Sequence, residues 1–345
     1  MPQREFKVAL TGDFYGSDGA LRYRDIGLSV LEAQPGIRHS SFAEELAEIA
    51  PRQIGDAQAA IVLSPRVTAR SLSESAGLLM IGRFGVGFDS VDVEGCTAAD
   101  VLLATAVGGV DRSVAEATLG WMLALTHHML TKDRLVRDAR WSERGNYMGR
   151  ELRDRRLGII GFGGIGRALA QLVRGLGMLP TFAFDPFVEP GSVADVQLVP
   201  LDTLLGECDF VSVHCPLNDQ TRNLLGAREL ALMQPDAYLI NTARGGIIEE
   251  AALFDVLSQR RIAGAALDCF VGEPLAAAPR FAELDNVILA PHSIAWTDEM
   301  FRDIGRTICR AVVEVALGRR PKGVINPAVL ERPGFQQKWE RLRLG

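Results

Sequence analysis

Three glycines at fixed spacing restrict most strongly how this chain can fold. Gly161, Gly163 and Gly166 lie between an apolar run, 157–160, and a helix-patterned stretch, 167–172. The first glycine permits a tight turn, the second lets the backbone approach a pyrophosphate, and the third lets the helix pack on the strand. The helix amino terminus adds amide donors and a positive dipole end. A glycine-rich turn that binds nothing is the alternative, but the flanking strand and helix favour a dinucleotide site. Its predicted lining residues are Gly161, Gly163, Gly164, Ile165 and Gly166.

A carboxylate at the end of the next apolar run supports this interpretation. Asp185 lies about 20 residues beyond Gly166, where an acidic side chain accepts hydrogen bonds from the adenosine ribose hydroxyls. Its negative charge would repel a 2′-phosphate, and residues 186–189 contain no arginine to bind one. We therefore predict NAD rather than NADP as the cofactor, with Asp185 and Pro186 among its contacts.

Short apolar runs alternate with helix-patterned stretches along the whole chain, which is typical of α/β proteins with a parallel sheet. The middle of the chain has six such runs, enough for a doubly wound sheet. They are 157–160, 181–184, 210–213, 237–240, 264–267 and 287–290. Each run ends in polar or turn residues, and ligands of open parallel sheets bind beyond the carboxyl ends of the strands. We therefore expect the chemistry at that edge.

The first hundred residues predict a second, smaller α/β domain. Its apolar runs are 8–10, 60–63, 78–81 and 101–103, and a length of 345 residues agrees with two domains.

Two long helices are predicted from helical spacing of apolar residues. One spans 113–130, with Ser113 and Glu116 as a capping box at its start. The other spans 297–317, by which the chain returns to the first domain. The tail, 319–345, is predicted to be a solvated extension that packs Trp339 on the body or on a partner subunit.

Composition excludes several classes of function. The net charge of −6 gives no polybasic surface for nucleic acid. No run of about 18 uncharged apolar residues predicts a membrane span, and residues 1–10 lack the features of a signal peptide. The five cysteines form no C-x-x-C pair. His127 and His128 are adjacent on a predicted helix and point about 100° apart, so we expect no metal site. These observations predict a cytoplasmic protein.

Three charged or titratable residues follow strand-like runs in the later half of the sheet: Arg244, Glu273 and His292. Hydride transfer at a carbonyl carbon needs a group that supplies or accepts the oxygen's proton, and histidine titrates near neutral pH. His292 is therefore the candidate acid/base. A carboxylate on its far ring nitrogen, Glu273, would fix the tautomer and favour the imidazolium. The guanidinium of Arg244 suits the carboxylate and carbonyl of a 2-oxo acid.

Each of these residues has an ordinary alternative when it is taken singly. In these alternatives the arginine is an ordinary surface residue and the glutamate is a solvated side chain. The histidine is then a residue at a strand end whose hydrogen bonds are satisfied locally. A family resemblance strengthens the joint interpretation. Residues 232–250, LMQPDAYLINTARGGIIEE, closely resemble the long signature of the D-isomer-specific 2-hydroxyacid dehydrogenases. The resemblance extends over nearly the whole chain, through the stretches 85–92, 114–119, 161–166, 213–217, 267–270 and 325–327.

The resemblance implies a fold and an activity. A Rossmann domain, residues 108–296, would be inserted into a smaller flavodoxin-like substrate domain formed by residues 1–107 and 297–345. The implied activity is NAD-dependent conversion between a small 2-oxo acid and the D-2-hydroxy acid. Relatives usually form homodimers through the cofactor domain, and the predicted helix 113–130 would be a plausible contact.

The resemblance also implies residue roles. The family's catalytic arginine, glutamate and histidine fall on Arg244, Glu273 and His292. Asp268 falls near the nicotinamide carboxamide, and the backbone of Val86 and Gly87 falls on the substrate carboxylate, which Arg244 and His292 also approach. The further implied cofactor contacts are His214, Pro216, Thr221, Thr242 and Ala243.

The chain departs from the family pattern at two places that bear on the site. Trp296 stands where small residues usually follow the catalytic histidine, and it either reshapes the substrate pocket or packs in the core. Gly164 replaces a residue whose side chain usually contacts the phosphates, which would modestly weaken NAD binding. Two alternative functions stay open: an NAD-sensing binding protein resembling the C-terminal-binding co-repressors, and a formate- or phosphite-type dehydrogenase. The sequence does not choose among phosphoglycerate, glyoxylate or hydroxypyruvate, lactate-like acids and sugar acids.

Overall fold

The computed structural model describes residues 5–189, 191, 193 and 195–344. The chain divides into two compact units. The split unit contains the residues up to Val110 and those from Trp296 onward, and the central unit is Asp111–Ala295. Residues 1–4, which belong to the stretch without signal-peptide features, lie outside the described residues. Within the described ranges, no helix is long and apolar enough to cross a membrane.

The described residues form twelve strands and eleven α-helices. The strands are β1 (Phe6–Leu10), β2 (Ile37–Ser41), β3 (Ala59–Val62), β4 (Met80–Arg83), β5 (Leu102–Thr105), β6 (Leu157–Ile160), β7 (Thr181–Phe184), β8 (Val196–Leu198), β9 (Phe210–Val213), β10 (Tyr238–Asn241), β11 (Gly264–Leu267) and β12 (Val287–Leu289). The helices are α1 (Ser29–Glu32), α2 (Pro51–Ile54), α3 (Val93–Ala98), α4 (Asp111–Thr126), α5 (Met129–Arg137), α6 (Gly164–Val173), α7 (Leu201–Glu207), α8 (Ala227–Leu232), α9 (Glu250–Ser258), α10 (Asp298–Ala316) and α11 (Pro333–Leu342).

The split unit has a five-stranded parallel sheet in the order β2-β1-β3-β4-β5. This is the order of flavodoxin-like folds, as the resemblance implies. Sequence patterning predicts four of the five strands. It misses β2 because this edge strand has a single buried residue, Ile37, and otherwise exposes most of its side chains.

The central unit has a seven-stranded parallel sheet in the order β12-β11-β10-β9-β6-β7-β8. Chain order reverses between β6 and β9, which is the switch point where doubly wound sheets bind ligands. All six predicted strands are present. The seventh, β8, is an edge strand of three partly buried residues, too short to give an apolar run. The predicted α/β fold is therefore confirmed.

Helices cover both faces of the central sheet. Consecutive residues enter opposite apolar clusters: Val211 and Leu239 on one face, Phe210 and Ile240 on the other. Such two-sided burial is typical of parallel sheets and explains why these strands are mostly apolar. The strand ends are also in register, because Val213 pairs with both Ile160 and Asn241. The residues that follow β6, β9, β10 and β11 therefore emerge at one edge.

The helix predicted over 113–130 is wrong in both bounds. α4 begins at Asp111, so Ser113 lies inside its first turn and does not start a capping box. It ends at Thr126, and His128 adopts a left-handed φ of 52° before α5 begins. The amide of Arg150 donates to the Thr126 carbonyl at 2.9 Å, which satisfies a helix-terminal acceptor from outside the helix. His127 and His128 therefore lie at a break between two helices.

The second predicted helix is present with nearly its predicted bounds, and the tail packs as predicted but is helical. α10 spans Asp298–Ala316, and the Thr297 hydroxyl caps it by accepting from the Met300 amide at 3.0 Å. The tail forms α11 instead of an irregular extension. Its Trp339 indole donates to the Val315 carbonyl at 2.7 Å, so the tail packs on the body of the split unit.

Candidate active site

The glycines of the loop after β6 differ in the space that a side chain would find at each position. Gly161 has φ +90°, and a Cβ there would lie 2.5 Å from the Cys215 amide nitrogen. A Cβ on Gly166 would lie 2.7 Å from the Gly161 carbonyl oxygen, so α6 packs tightly on the turn. A Cβ on Gly163 would meet no described atom within 4 Å. Gly163 directly precedes α6 and Ile165 lies in its first turn, and the open backbone face at Gly163 fits a pyrophosphate.

At the fourth loop glycine, Gly164, a side chain is excluded by a neighbour that the sequence does not reveal. A Cβ on Gly164 would lie 2.0 Å from an oxygen of the Asp111 carboxylate. The first turn of α4 therefore fills the space where a side chain at position 164 would begin. Burial raises the pKa of Asp111 above its ordinary value. An acidic side chain, missed by the sequence analysis, thus lies directly beside the glycine loop.

Asp185 follows β7 and joins this strand end to the same loop. Its carboxylate accepts the Phe162 amide at 2.8 Å and the Phe187 amide at 2.9 Å. Pro186 is exposed next to it. The structure thus brings Asp185 to the glycine loop, and an acceptor beside an open backbone face fits the ribose and pyrophosphate of a dinucleotide.

His214 lies between the ends of β9 and β10. Its Nε2 is 2.8 Å from the Ser212 hydroxyl, and its Nδ1 is 3.5 Å from the Thr242 hydroxyl. Burial lowers the pKa of His214 to about 4, so the ring is neutral at physiological pH. Thr221 donates to the Pro216 carbonyl at 2.6 Å and closes the turn beyond β9.

Arg244 is held on a turn that the side chain of Asn241 organises. The Asn241 amide group accepts from the Ala243 amide at 3.0 Å and donates to the Arg244 carbonyl at 2.9 Å. A Cβ on Gly245 would lie 2.1 Å from the Phe270 carbonyl, so this turn contacts the loop after β11. Sequence reasoning used Asn241 only as a strand end. An asparagine before a turn is the signal that would have identified it.

Glu273 and His292 form a direct pair. His292 Nδ1 is 2.6 Å from Glu273 Oε2, and the other carboxylate oxygen accepts the Phe270 amide at 2.6 Å. Burial opposes ionisation of Glu273, but these two hydrogen bonds and the positive charges of His292 and Arg244 outweigh it and lower its pKa. The positive charge of Arg244 therefore favours the same ionised carboxylate that His292 contacts.

Asp268 positions the backbone that carries His292. Its buried carboxylate accepts the Ser293 amide at 2.9 Å and the Ile294 amide at 3.2 Å. The His292 amide donates to the Asp268 carbonyl at 2.8 Å. His292 has φ +53°, a conformation that non-glycine residues adopt at some cost. Burial raises the pKa of Asp268, and the two amides and the charge of His292 offset this only in part.

Three sequence-predicted residues belong to the split unit. Val86 and Gly87 follow β4 and are partly exposed. Trp296 is 51% exposed, and its ring packs edge-on against Tyr23 at 6.0 Å and Phe301 at 5.2 Å between centroids. Trp296 thus closes the outer side of an aromatic cluster while keeping half of its surface free.

The central unit therefore brings two sets of groups to one sheet edge. One set offers open backbone amides and a carboxylate acceptor. The other offers an imidazole, a carboxylate and a guanidinium. The second set can hold and transfer a proton and can bind an anion.

Comparison with known proteins agrees with the resemblance in 232–250. Residues 119–293 match the description "D-isomer specific 2-hydroxyacid dehydrogenase, NAD binding domain". A D-3-phosphoglycerate dehydrogenase of Synechocystis is 34% identical over 318 residues, covering 89% of this chain and 56% of the relative. The human D-3-phosphoglycerate dehydrogenase is 36% identical over 313 residues, with the same coverage. The chain spans about half the length of the curated relatives it matches.

The fold is also similar to solved structures. The TT0316 protein of Thermus thermophilus superposes with a TM-score of 0.80 and 25% identity, covering 93% of this chain and all of that chain.

Proposed function

Because the chain belongs to the D-isomer-specific 2-hydroxyacid dehydrogenase family, we propose that it is an NAD-dependent oxidoreductase interconverting a small 2-oxo acid and a D-2-hydroxy acid. One observation carries the proposal: the 2.6 Å hydrogen bond between His292 and Glu273 at the sheet edge that also bears the glycine loop. A proton-transferring pair beside a cofactor cradle is what carbonyl reduction by hydride requires.

The matched domain is an NAD-binding domain, and the central unit contains groups that fit this cofactor. The backbone from Gly161 to Gly166 would hold the pyrophosphate, and Asp185 would accept from the ribose. His214, Pro216, Thr221 and Thr242 lie at neighbouring strand ends or turns and are proposed to line the remainder, with Asp268 toward the carboxamide. When bound, the cofactor supplies or accepts the hydride.

The protein's own residues manage the proton and the substrate charge. Glu273 accepts from Nδ1 of His292, which leaves Nε2 to donate a proton to the carbonyl oxygen during reduction. In oxidation Nε2 takes the proton from the hydroxyl. Arg244 would bind the carboxylate and polarise the carbonyl. The backbone amides of Val86 and Gly87 are proposed as donors for a substrate carboxylate.

NADH oxidation with a panel of 2-oxo acids tests the proposal, with NADPH in parallel and with formate or phosphite plus NAD as alternative donors. We expect turnover on one class of 2-oxo acid and a loss of about 10²–10⁴-fold in His292→Ala. His39→Ala is the matched control, because His39 also pairs with a glutamate, Glu32, at 3.3 Å.

Unchanged turnover in His292→Ala would remove the acid/base assignment. Tight NADH binding with no turnover on any substrate would favour an NAD-sensing binding protein instead.

We also propose a cytoplasmic homodimer. None of the five described cysteines forms a disulfide, as is usual in reducing compartments. α4 packs on α6 within the central unit, so the proposed dimer contact lies at the end of the predicted helix 113–130 and in the segment that follows it. Several large apolar side chains are exposed there: Met129, Leu130, Val136, Trp141 and Met148. Light scattering of the wild type and of Trp141→Glu would test the contact.

A further inference from the structure

A third ligand-type side chain lies beside the His292–Glu273 pair. The Cys269 sulfur, a Glu273 carboxylate oxygen and a His292 ring nitrogen all lie within 4.8 Å of one another. Thiolate, imidazole and carboxylate are the donors that zinc uses in proteins. We propose that Cys269, Glu273 and His292 bind one zinc ion, or a similar soft divalent cation, and that its binding inhibits the enzyme. The inhibition rests on the proposed function, whereas the binding does not.

The three donors differ in burial. Cys269 is buried, and its sulfur lies 3.3 Å from the Ala243 carbonyl, beneath the turn that carries Arg244. The side chains of His292 and Glu273 are 45% and 28% exposed. A cation can therefore reach the pair from solvent and meet the sulfur on its inner side.

Small side-chain movements complete the coordination. Metal distances of about 2.3 Å to sulfur and about 2.0 Å to nitrogen and oxygen imply donors about 3.3–3.8 Å apart. The separations here reach at most 4.8 Å, so the Cys269 side chain must rotate toward the pair. The 2.6 Å contact between His292 and Glu273 must also widen by about 0.7 Å. The backbone of the pair is already fixed by the Phe270 amide on Glu273 and by Asp268 behind His292.

The charges of the site suit a divalent ion. Binding forms bonds from the metal to sulfur, nitrogen and oxygen, and the thiol proton and the Nδ1 proton leave to solvent, with no change in oxidation state. The thiolate and the Glu273 carboxylate then balance the two charges of the ion, although the nearby Arg244 guanidinium opposes it. Three protein donors leave a fourth position for water.

A bound ion would stop proton transfer. It takes the Glu273 oxygen and the ring that the proposed mechanism uses, so His292 could no longer donate from an imidazolium. Cys269 itself has no part in that mechanism. The site is therefore a means of inhibition that can be removed without removing the catalytic groups.

Metal binding is tested on the cofactor-free full chain, with Zn²⁺ in competition with a chromogenic zinc indicator and with Co²⁺ as a spectroscopic probe. We expect one equivalent of Zn²⁺ and a sulfur-to-cobalt charge-transfer band. Cys269→Ser should lose the band and weaken Zn²⁺ binding by at least about tenfold. Cys208→Ser is the matched control, because Cys208 is equally buried but lies outside the group.

Inhibition is tested by NADH oxidation with and without Zn²⁺. Zn²⁺ should inhibit the wild type and Cys208→Ser, whereas Cys269→Ser should keep its activity. Circular dichroism checks its fold, and Cys269→Ala replaces it if it is unfolded. Equal Zn²⁺ inhibition of Cys269→Ser, or a wild-type cobalt spectrum without the sulfur band, would overturn the inference. If the chain has no dehydrogenase activity, the proposed function fails separately, and the cobalt spectrum still decides the site.

Discussion

The two halves of the same sheet edge are built in different ways. Beyond β6 and β7, the glycine loop depends on missing side chains, since a Cβ on Gly161 or Gly166 would collide with backbone. Beyond β10, β11 and β12, the geometry depends on side chains that hold backbone, as Asn241 and Asp268 do. Added side-chain atoms should therefore disrupt the first half, whereas removal of polar side-chain atoms should disrupt the second half. The comparison therefore predicts which substitutions affect binding and which affect turnover.

The largest effect is expected in the half built from side chains. Glu273→Gln keeps the size of the side chain but removes the charge that His292 contacts at 2.6 Å. We expect kcat to fall by about 10²–10³-fold, within the range of general acid–base catalysis, while the Kd of NADH stays within about twofold. Steady-state kinetics and NADH fluorescence measure the two values. An equal loss of NADH binding would show that the two halves are not independent.

Substitutions in the glycine half, in contrast to Glu273→Gln, should weaken NADH binding. Gly161→Ala places a Cβ 2.5 Å from the Cys215 amide at φ +90°, so we expect a loss of stability of about 1–3 kcal/mol and weaker NADH binding. Gly163→Ala is the control, since its Cβ meets no described atom within 4 Å. It should keep the unfolding free energy within about 1 kcal/mol yet still weaken NADH binding. Urea unfolding and fluorescence titration separate the two effects. Normal NADH affinity in Gly163→Ala would contradict the assignment of that open face to the cofactor.

The two carboxylates of the catalytic half should respond to pH with opposite signs. The pKa of Glu273 is lowered, so its contribution to stability is complete above its ordinary value of 4.5 and is lost as pH falls through the folded value. The pKa of Asp268 is raised, so its contribution is complete below 3.8 and is lost as pH rises through the folded value.

Urea unfolding between pH 3 and pH 7 measures this difference. Compared with the wild type, the unfolding free energy of Glu273→Gln should rise less with pH, and that of Asp268→Asn should rise more. Parallel pH profiles for the two variants would show that their environments do not differ as described.

The smallest effect concerns the acidic side chain that α4 places beside the glycine half. The Asp111 carboxylate lies against Gly164, where its charge opposes a pyrophosphate. Asp111→Asn should tighten NADH binding by about two- to fivefold, and added salt should reduce this gain because it screens the charge. Titrations at low and high salt measure it. Weaker binding by the variant would mean that the carboxylate instead holds the loop in shape.

Sequence patterning predicts the elements whose residues are both buried and regularly patterned along the chain. Five of the six predicted central strands are almost entirely buried, so most positions along them are apolar and the pattern predicts them. The edge strands β2 and β8 were missed because their exposed side carries polar residues. The break after Thr126 is not predicted, and the Arg150 amide that satisfies the Thr126 carbonyl comes from a segment more distant in sequence.

The sequence by itself determined the parallel α/β fold and the kinds of groups at the strand ends, because glycine spacing and apolar runs act over a few residues. The stretch 232–250 carried the resemblance to the family. Only the tertiary structure decided that Asp111 fills the space beside Gly164, that Asp268 holds the turn of His292, and that Cys269 lies beside Glu273 and His292. Those relations depend on which strand ends lie side by side and on how closely their loops pack. Residues far apart in the chain meet only when the sheet has formed, so no local pattern encodes their distances.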